Sequence, residues 1–276
     1  MPPDLEAIDA GDIDRLCDVV HDTYGYDFSR YQRAFLARRL HKVMTKTGTA
    51  GVPALAERIS AEPDVMAELL GSLSLSVTEM FRDPGFFLAL RAHVIPRLRT
   101  YPMVRVWTAG CATGQEPYSV AIMLEEEGLA GRYQIYATDM YSGSLDQART
   151  GVIAAAAMPT YTRNYHRAGG KAQFSDYYTT ADGYAMIRPR WRENIVFARH
   201  NLVTDSKFNE FNLILCRNVL IYFDEELHKH VHRLLYSSLG NFGVLGLGAR
   251  ESLRFSPHAN AFETIDGPNR LYRRLR

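Results

Sequence analysis

Apolar positions recur along this chain with two different spacings. Up to about residue 98 they fall three and four apart, the period of helices with one buried face. Ile13, Leu16, Val19 and Val20 set the first such face, within residues 1–27. Phe35, Leu36, Leu40 and Val43 set the second, within residues 29–46. After a loop over Gly48 to Gly51, Pro53 to Ile59 and Pro63 to Leu70 read as two more helices. Each has proline near its start, where the missing N–H would have had no partner. Ser72 to Pro84, SLSLSVTEMFRDP, ends this helical stretch, and Phe86 to Leu98 reads as a linker helix.

Beyond Tyr101-Pro102 the period changes. Val104, Val106 and Trp107 predict a buried strand, and AGCATG (Ala109 to Gly114) predicts a glycine turn. Glu116-Pro117 opens a helix that buries Val120, Ile122, Met123 and Leu124 in part. Tyr133 to Asp139 predicts a strand ending in an acid, and Ser144 to Arg149 a helix stopped by Gly151. Residues 158–193 are rich in Tyr, Arg and Gly and show no helical period. Within them Tyr177 to Arg188 has a hairpin pattern with Asp182-Gly183 at the turn, which predicts a small antiparallel insert. Ile195 to Arg199, Phe211 to Cys216 and Phe242 to Leu247 read as strands, with a helix from Glu225 to Leu239. Thr264-Ile265 and Arg270 to Arg273 complete the pattern as an antiparallel pair. Alternating strands and helices predict an α/β, doubly wound, Rossmann-like sheet preceded by a small all-α domain. The expected division is 1–80 helical, 81–100 linker helix and 101–276 nucleotide-type domain, with the insert at 174–194.

Ligands of such sheets bind at the carboxyl ends of the strands. Gly110 to Glu116, Asp139, Asn201-Leu202 and Arg217-Asn218 all fall at such ends. Asp139 lies 25 positions beyond Gly114, near the spacing at which nucleotide folds place a ribose-binding carboxylate. The competing role for a strand-end Asp is to cap a helix.

Composition narrows the function. Of 276 residues, 46% are apolar and 23% charged, values of an ordinary soluble protein. A net charge of +1 argues against a general nucleic-acid binder. The first residues are acidic where a secretory signal would be basic, and no apolar run reaches the ~20 residues of a membrane helix. Three dispersed cysteines, Cys17, Cys111 and Cys216, suggest a reducing cytoplasm. The expectation is a cytoplasmic monomer without stable membrane insertion. His228 and His232 stand one helical turn apart without a carboxylate partner, so they read as solvated surface and no metal is assigned. Charge is unevenly distributed: residues 29–46 carry Arg30, Arg33, Arg38, Arg39, Lys42 and Lys46 with no acid among them. This is either a solvated basic helix or a surface that receives an acidic partner.

Four blocks in this order, SVTEMFRDP, WTAGCATGQEPYS, the strand ending ATD, and CRNVLIYFD, resemble the chemoreceptor glutamate methyltransferases of bacterial chemotaxis, the CheR family. The resemblance covers nearly the whole chain. It implies an S-adenosylmethionine-dependent protein-glutamate O-methyltransferase, acting on the cytoplasmic helical bundle of methyl-accepting receptors. By position it implies that Thr78 and Arg82 contact the methionine end of the cofactor. Glu116 and Asp139 would take its polar methionine and ribose groups. Asn201 and Leu202 would line the adenine region, with Gly110 beneath and Arg217-Asn218 closing the site. Tyr222 would stand beside the transferred methyl, and Arg82 would share its catalytic surroundings. Ser76 stands where the family often has asparagine; serine hydrogen-bonds but reaches less far. Arg38 and Lys42, on the basic helix, become candidates for receptor binding. Two alternatives are a catalytically idle module that binds S-adenosylmethionine or S-adenosylhomocysteine, and an NAD-dependent oxidoreductase. The second is weakened by the absence of a hydride-transfer His or Tyr-Lys pair.

Overall fold

The computed structural model describes residues 8–74 and 78–276. Four helices open the chain: α1 (Ala10–Tyr24), α2 (Arg33–Thr47), α3 (Val52–Ala61) and α4 (Pro63–Leu73). Asp9 starts α1 by accepting the Gly11 N–H at 2.6 Å. Each of the four predicted helices is present, and Phe35, Leu36, Leu40 and Val43 are all buried. α5 (Pro84–Ala89) leads through one π turn (Leu90–Val94) into α6 (Ile95–Leu98). The wide turn just precedes Pro96, which has no N–H to give and would crowd a regular turn.

The sheet is built from β1 (Val104–Ala109), β2 (Tyr133–Asp139), β6 (Ile195–Arg199), β7 (Phe211–Cys216), β8 (Leu239–Leu247), β9 (Phe262–Asp266) and β10 (Leu271–Arg274). Its order is β6-β2-β1-β7-β8-β10-β9, parallel except where β10 joins β8 and β9. Helices α7 (Gln115–Glu126), α8 (Ser142–Thr150) and α10 (Glu225–Ser238) connect the parallel strands. α7 is buried more fully than its sequence predicts: Val120, Ile122, Met123 and Leu124 are all enclosed. β8 starts at Leu239, earlier than Phe242.

Two readings change between 151 and 193. Met158–Arg167 is a helix, α9, where no helical period is evident in the sequence. Its buried side chains are Met158, Tyr161 and Tyr165, spaced three and four apart. Two of the three are tyrosines, whose polar tips blur an apolar pattern. The insert hairpin β4 (Tyr178–Ala181) and β5 (Tyr184–Ile187) turns at Asp182-Gly183 as expected. It gains a third strand, β3 (Val152–Ala154), from outside the hairpin.

One apolar core joins the helical domain to one face of the sheet, through Leu36, Leu40, Trp107 and Leu220 among others. A second lies on the opposite face, beneath α5 to α7, α9 and the insert. At the end of α7, Glu126 accepts from the Tyr165 and Tyr177 hydroxyls, the Lys171 N–H and Arg91. Glu127 pairs with Arg91, Arg99 and Lys171. This polar knot ties α9 and the insert to the nucleotide-type domain. Tyr165→Phe leaves Glu126 short of a donor and orphans the Ala172 N–H that the hydroxyl accepts at 2.8 Å. Urea denaturation should show a loss of ~1–3 kcal/mol with an unchanged m value.

Candidate functional site

The strand order reverses between β1 and β7, and a crevice opens beyond their carboxyl ends. Gly110 follows β1 with φ 73°, and a Cβ there would stand 2.5 Å from Val219 Cγ2. Glycine therefore lets the loop after β7 lie against the turn after β1. Two cavities flank this contact. One is lined by Thr78, Arg82, Gly110, Glu116, Arg217, Asn218 and Tyr222, with Glu79 and Arg250. The other is lined by Asp139, Asn201 and Leu202, with Ser74, Met140 and Val203. They share Gly110, Ala112, Asn218 and Tyr222, so they are two halves of one cleft.

The first half is charged. Arg217 is buried beneath it, and its guanidinium donates to Glu116 Oε2 at 2.8 Å and Asp83 Oδ2 at 2.7 Å. The same group lies 4.0 Å over the Phe86 ring. A planar fork that stacks while bonding two carboxylates is a task for arginine, not lysine. Arg82 lines this half, while Asp83 turns to Arg217 and Glu79 accepts from Asn164.

The second half is more apolar and has one buried acid. Asp139 is 7% exposed; Oδ1 accepts from Ser74 Oγ and the Tyr141 N–H, and Oδ2 from the Ala112 N–H. Burial raises its pKa, against the pull of these donors. Asn201 folds its own loop, its Oδ1 accepting the Val203 N–H at 3.0 Å. Leu202 is buried beside it.

Tyr222 stands where the two halves meet. Its ring stacks on Phe35 of α2 with centroids 4.3 Å apart, and its carbonyl accepts the Gln32 N–H at 2.8 Å. Burial raises the phenol's pKa; Arg39, Arg82 and Arg250 oppose this. The group is therefore a neutral hydrogen-bond donor near pH 7. Arg39 lies 5.1 Å over the other partner of that stack, Phe35.

The structure brings together Thr78, Arg82, Gly110, Glu116, Asp139, Asn201, Leu202, Arg217, Asn218 and Tyr222. It leaves Arg38 and Lys42 outside. Both are exposed on α2 and line neither cavity; Lys42 rims a separate groove beside Tyr141. Ser76 lies outside the described residues. The basic run is also less bare than it reads in sequence. Arg30 approaches Asp224 at 3.6 Å, Arg33 pairs with Asp14, and Lys46 meets Glu68 at 2.6 Å. No ion pair is made by Arg38, Arg39 or Lys42 among the described residues.

The reading of the two histidines needs revision. His232 is buried and His228 half-buried, so the pair is not solvated surface. Burial lowers both, His232 to about 4. No three potential metal ligands gather among the described residues. Cys111 and Cys216 are buried, and burial pushes both thiols well up. Sequence reasoning missed Ser74 and Arg250, which line the cleft but lack a distinctive motif in one sequence. Phe35 was visible only as one more apolar position of α2.

Family models match both parts of the chain. Residues 11–74 match the CheR methyltransferase all-alpha domain and residues 76–271 the CheR methyltransferase SAM binding domain. A Pseudomonas putida protein named as methyltransferase Cher3 is 44% identical, over 94% of this chain and 95% of its own. The chemotaxis protein methyltransferase of Listeria monocytogenes is 30% identical, over 92% of this chain and 93% of its own. The structure of TrmN from Thermus thermophilus aligns with TM-score 0.38 at 16% identity, over 74% of this chain and 51% of that one; so distant a likeness carries no argument. With both domains matched in order, this chain belongs to the CheR family of S-adenosylmethionine-dependent methyltransferases.

Proposed function

We propose that this chain methylates glutamate side chains of chemotaxis receptors, forming methyl esters from S-adenosylmethionine. The observation that carries the reading is the cleft, charged at one end, apolar at the other, with Tyr222 between them. The residues fit the cofactor's parts. Glu116 and Arg82 suit the ammonium and carboxylate of a methionine group. Asp139 suits a ribose diol, which would take the place of the Ser74 hydroxyl as donor. Leu202, Val203 and Met140 suit an adenine ring, and Asn201, which lines the same half of the cleft, would border it. Asn218 and Arg217 close the cleft from the β7 side.

When bound, the cofactor supplies an electrophilic methyl group on a sulfonium. A glutamate carboxylate, with an ordinary pKa of about 4.3, is already ionised and nucleophilic at neutral pH. The enzyme therefore needs no general base. Its contribution is orientation, worth up to roughly 7–11 kcal/mol in favourable cases, and exclusion of water. In this reading the neutral Tyr222 hydroxyl donates to the incoming carboxylate, and Phe35 fixes the ring that carries it. Arg39, Arg82 and Arg250 add positive potential around that point. The helical domain, divided from the rest near residues 80–100, presents Arg38 and Lys42 to the acidic receptor bundle. The same reading makes the protein a cytoplasmic monomer. Nothing in the structure favours the idle binding module.

Incubation with tritiated S-adenosylmethionine and receptor-bearing membranes should place base-labile label on a receptor. Binding without transfer would leave only the idle module. In this assay Tyr222→Phe should lower turnover about ten- to hundredfold, the worth of one hydrogen bond to a charged group, with cofactor affinity held. Wild-type turnover would make Tyr222 a packing residue.

Asp139→Asn keeps the size, removes the charge and turns an NH₂ group toward the Ala112 or Tyr141 N–H. Calorimetry should show S-adenosylmethionine binding weakened by ~1.5–3 kcal/mol. Unchanged affinity with an intact fold would remove ribose from the role of Asp139.

Arg38→Glu with Lys42→Glu should raise the apparent KM for receptor and leave cofactor affinity alone. Salt should slow the wild type and narrow the gap, because exposed charges are screened beyond ~8–10 Å at physiological ionic strength. Equal rates at low salt would reduce these two residues to a solvated face.

A further inference from the structure

Glu251 lines neither half of the cleft, yet it is 2% exposed and its carboxylate is fully occupied. Oε1 accepts the backbone N–H groups of Val219 and Leu220, each at 2.8 Å. Oε2 accepts those of Gly248 at 2.6 Å and Asn218 at 2.9 Å. Three of these donors are consecutive, in the loop that carries Asn218 and, two residues beyond Leu220, Tyr222. Successive N–H groups converging on one point form an anion nest, here filled by the protein's own carboxylate. Asn218 has φ 61°, a left-handed conformation that turns the backbone at the first of the three.

The surroundings are fitted to this contact. A Cβ on Gly248 would stand 2.6 Å from Glu251 Oε2 and 2.8 Å from the Asn218 nitrogen. On the far side of the loop, Gly110 makes room for Val219 in the same way. The residue type also matters. An ionised carboxylate only accepts, so it can satisfy four donors at once. Glutamine would turn an NH₂ group toward N–H groups already in place. Burial raises the carboxyl's pKa and the four donors oppose it.

We propose that Glu251 is a positioning residue for methyl transfer. It fixes the Asn218–Leu220 backbone and thereby sets where Tyr222 stands in the cleft. α2 and the residue that caps it hold Tyr222 from the opposite side, through Phe35 and the Gln32 N–H. The inference rests on the reading of Tyr222 as the residue that orients the substrate carboxylate.

The test uses the full chain with Glu251→Gln, Tyr222→Phe and the double variant. Folding is followed by far-UV circular dichroism and Tm, cofactor Kd by calorimetry, and kcat by receptor methylation well below each Tm. Glu251→Gln should keep the fold and lower kcat about tenfold or more, with a smaller change in cofactor Kd through Asn218. In the Tyr222→Phe background the same substitution should cost less than about threefold, because the hydroxyl it positions is already gone. Equal losses in both backgrounds overturn the proposal, as does a lowered Tm with unchanged kcat. Tyr222→Phe alone separates the two ideas. Unchanged kcat there overturns the Tyr222 reading and the proposal with it; reduced kcat with additive losses overturns the Glu251 proposal alone. If Glu251→Gln does not fold, Gly248→Ala, whose methyl would press on the same contact, should show the same non-additive pattern.

Discussion

A single guanidinium holds three separate segments at the closed end of the cleft. Arg217 leaves β7, bonds Glu116 in the first turn of α7, and bonds Asp83 just before α5. Its Nη2 also approaches the Arg82 carbonyl at 3.3 Å. The Arg217 side chain is only 2% exposed and Glu116 16%, so their bond forms with little competition from water, whereas Asp83 is 45% exposed and its bond is partly screened. Replacing Arg217 with a neutral group strands the Glu116 carboxylate, at a cost of up to about 3–5 kcal/mol, while Asp83 can turn to water. The segment around Asp83 is itself constrained, with Phe81 at φ 51° and Asp83 at φ 56°. The segment is also bonded at Phe81 N–H to Ser119 Oγ and at the Thr78 carbonyl to Tyr161. The charged half of the cleft is therefore assembled by long-range contacts, none of which lies within one element.

The other half depends on the helical domain. Tyr31 bridges to Phe223, the Gln32 N–H bonds the Tyr222 carbonyl, and the Asp224 N–H bonds the Arg30 carbonyl. These backbone contacts lie between the start of α2 and the loop after β7. Ser74, at the end of α4, reaches Asp139 at the end of β2. A helical domain that merely recruited a partner would need none of this. Here it supplies one wall of the cleft, so a displacement of the helices and a change in the site become the same event.

What was legible in the sequence follows from how local each feature is. The parallel strands read plainly: Tyr133 to Asp139, Ile195 to Arg199 and Phe211 to Cys216 match their observed bounds, the second even though it is an edge strand with only Ile195 buried. α9 did not read, because its buried face is mostly tyrosine and its contacts lie on distant segments. The strand-end residues of the site were readable from spacing and resemblance. Their partners were not: Ser74 on Asp139, Phe35 on Tyr222 and Asp83 on Arg217 meet only through tertiary folding. The same reason explains the basic run. Its own segment holds no acid, but Asp14, Glu68 and Asp224 arrive from other elements and neutralise part of it.

That partial neutralisation gives the remaining charge a direction. Arg39 lies against Phe35, next to Tyr222, while Arg38 and Lys42 continue outward along α2. A negatively charged surface would meet the exposed pair first, where water and salt weaken attraction and the effect is mainly on encounter. Closer in, Arg39, Arg82 and Arg250 act on a half-buried phenol, where the dielectric is lower and the same charges count for more. On the proposed reaction this gradient favours release of product as well as capture of substrate. The substrate arrives as an anion and leaves as a neutral ester, so the cations that draw it in lose their hold once the methyl is transferred.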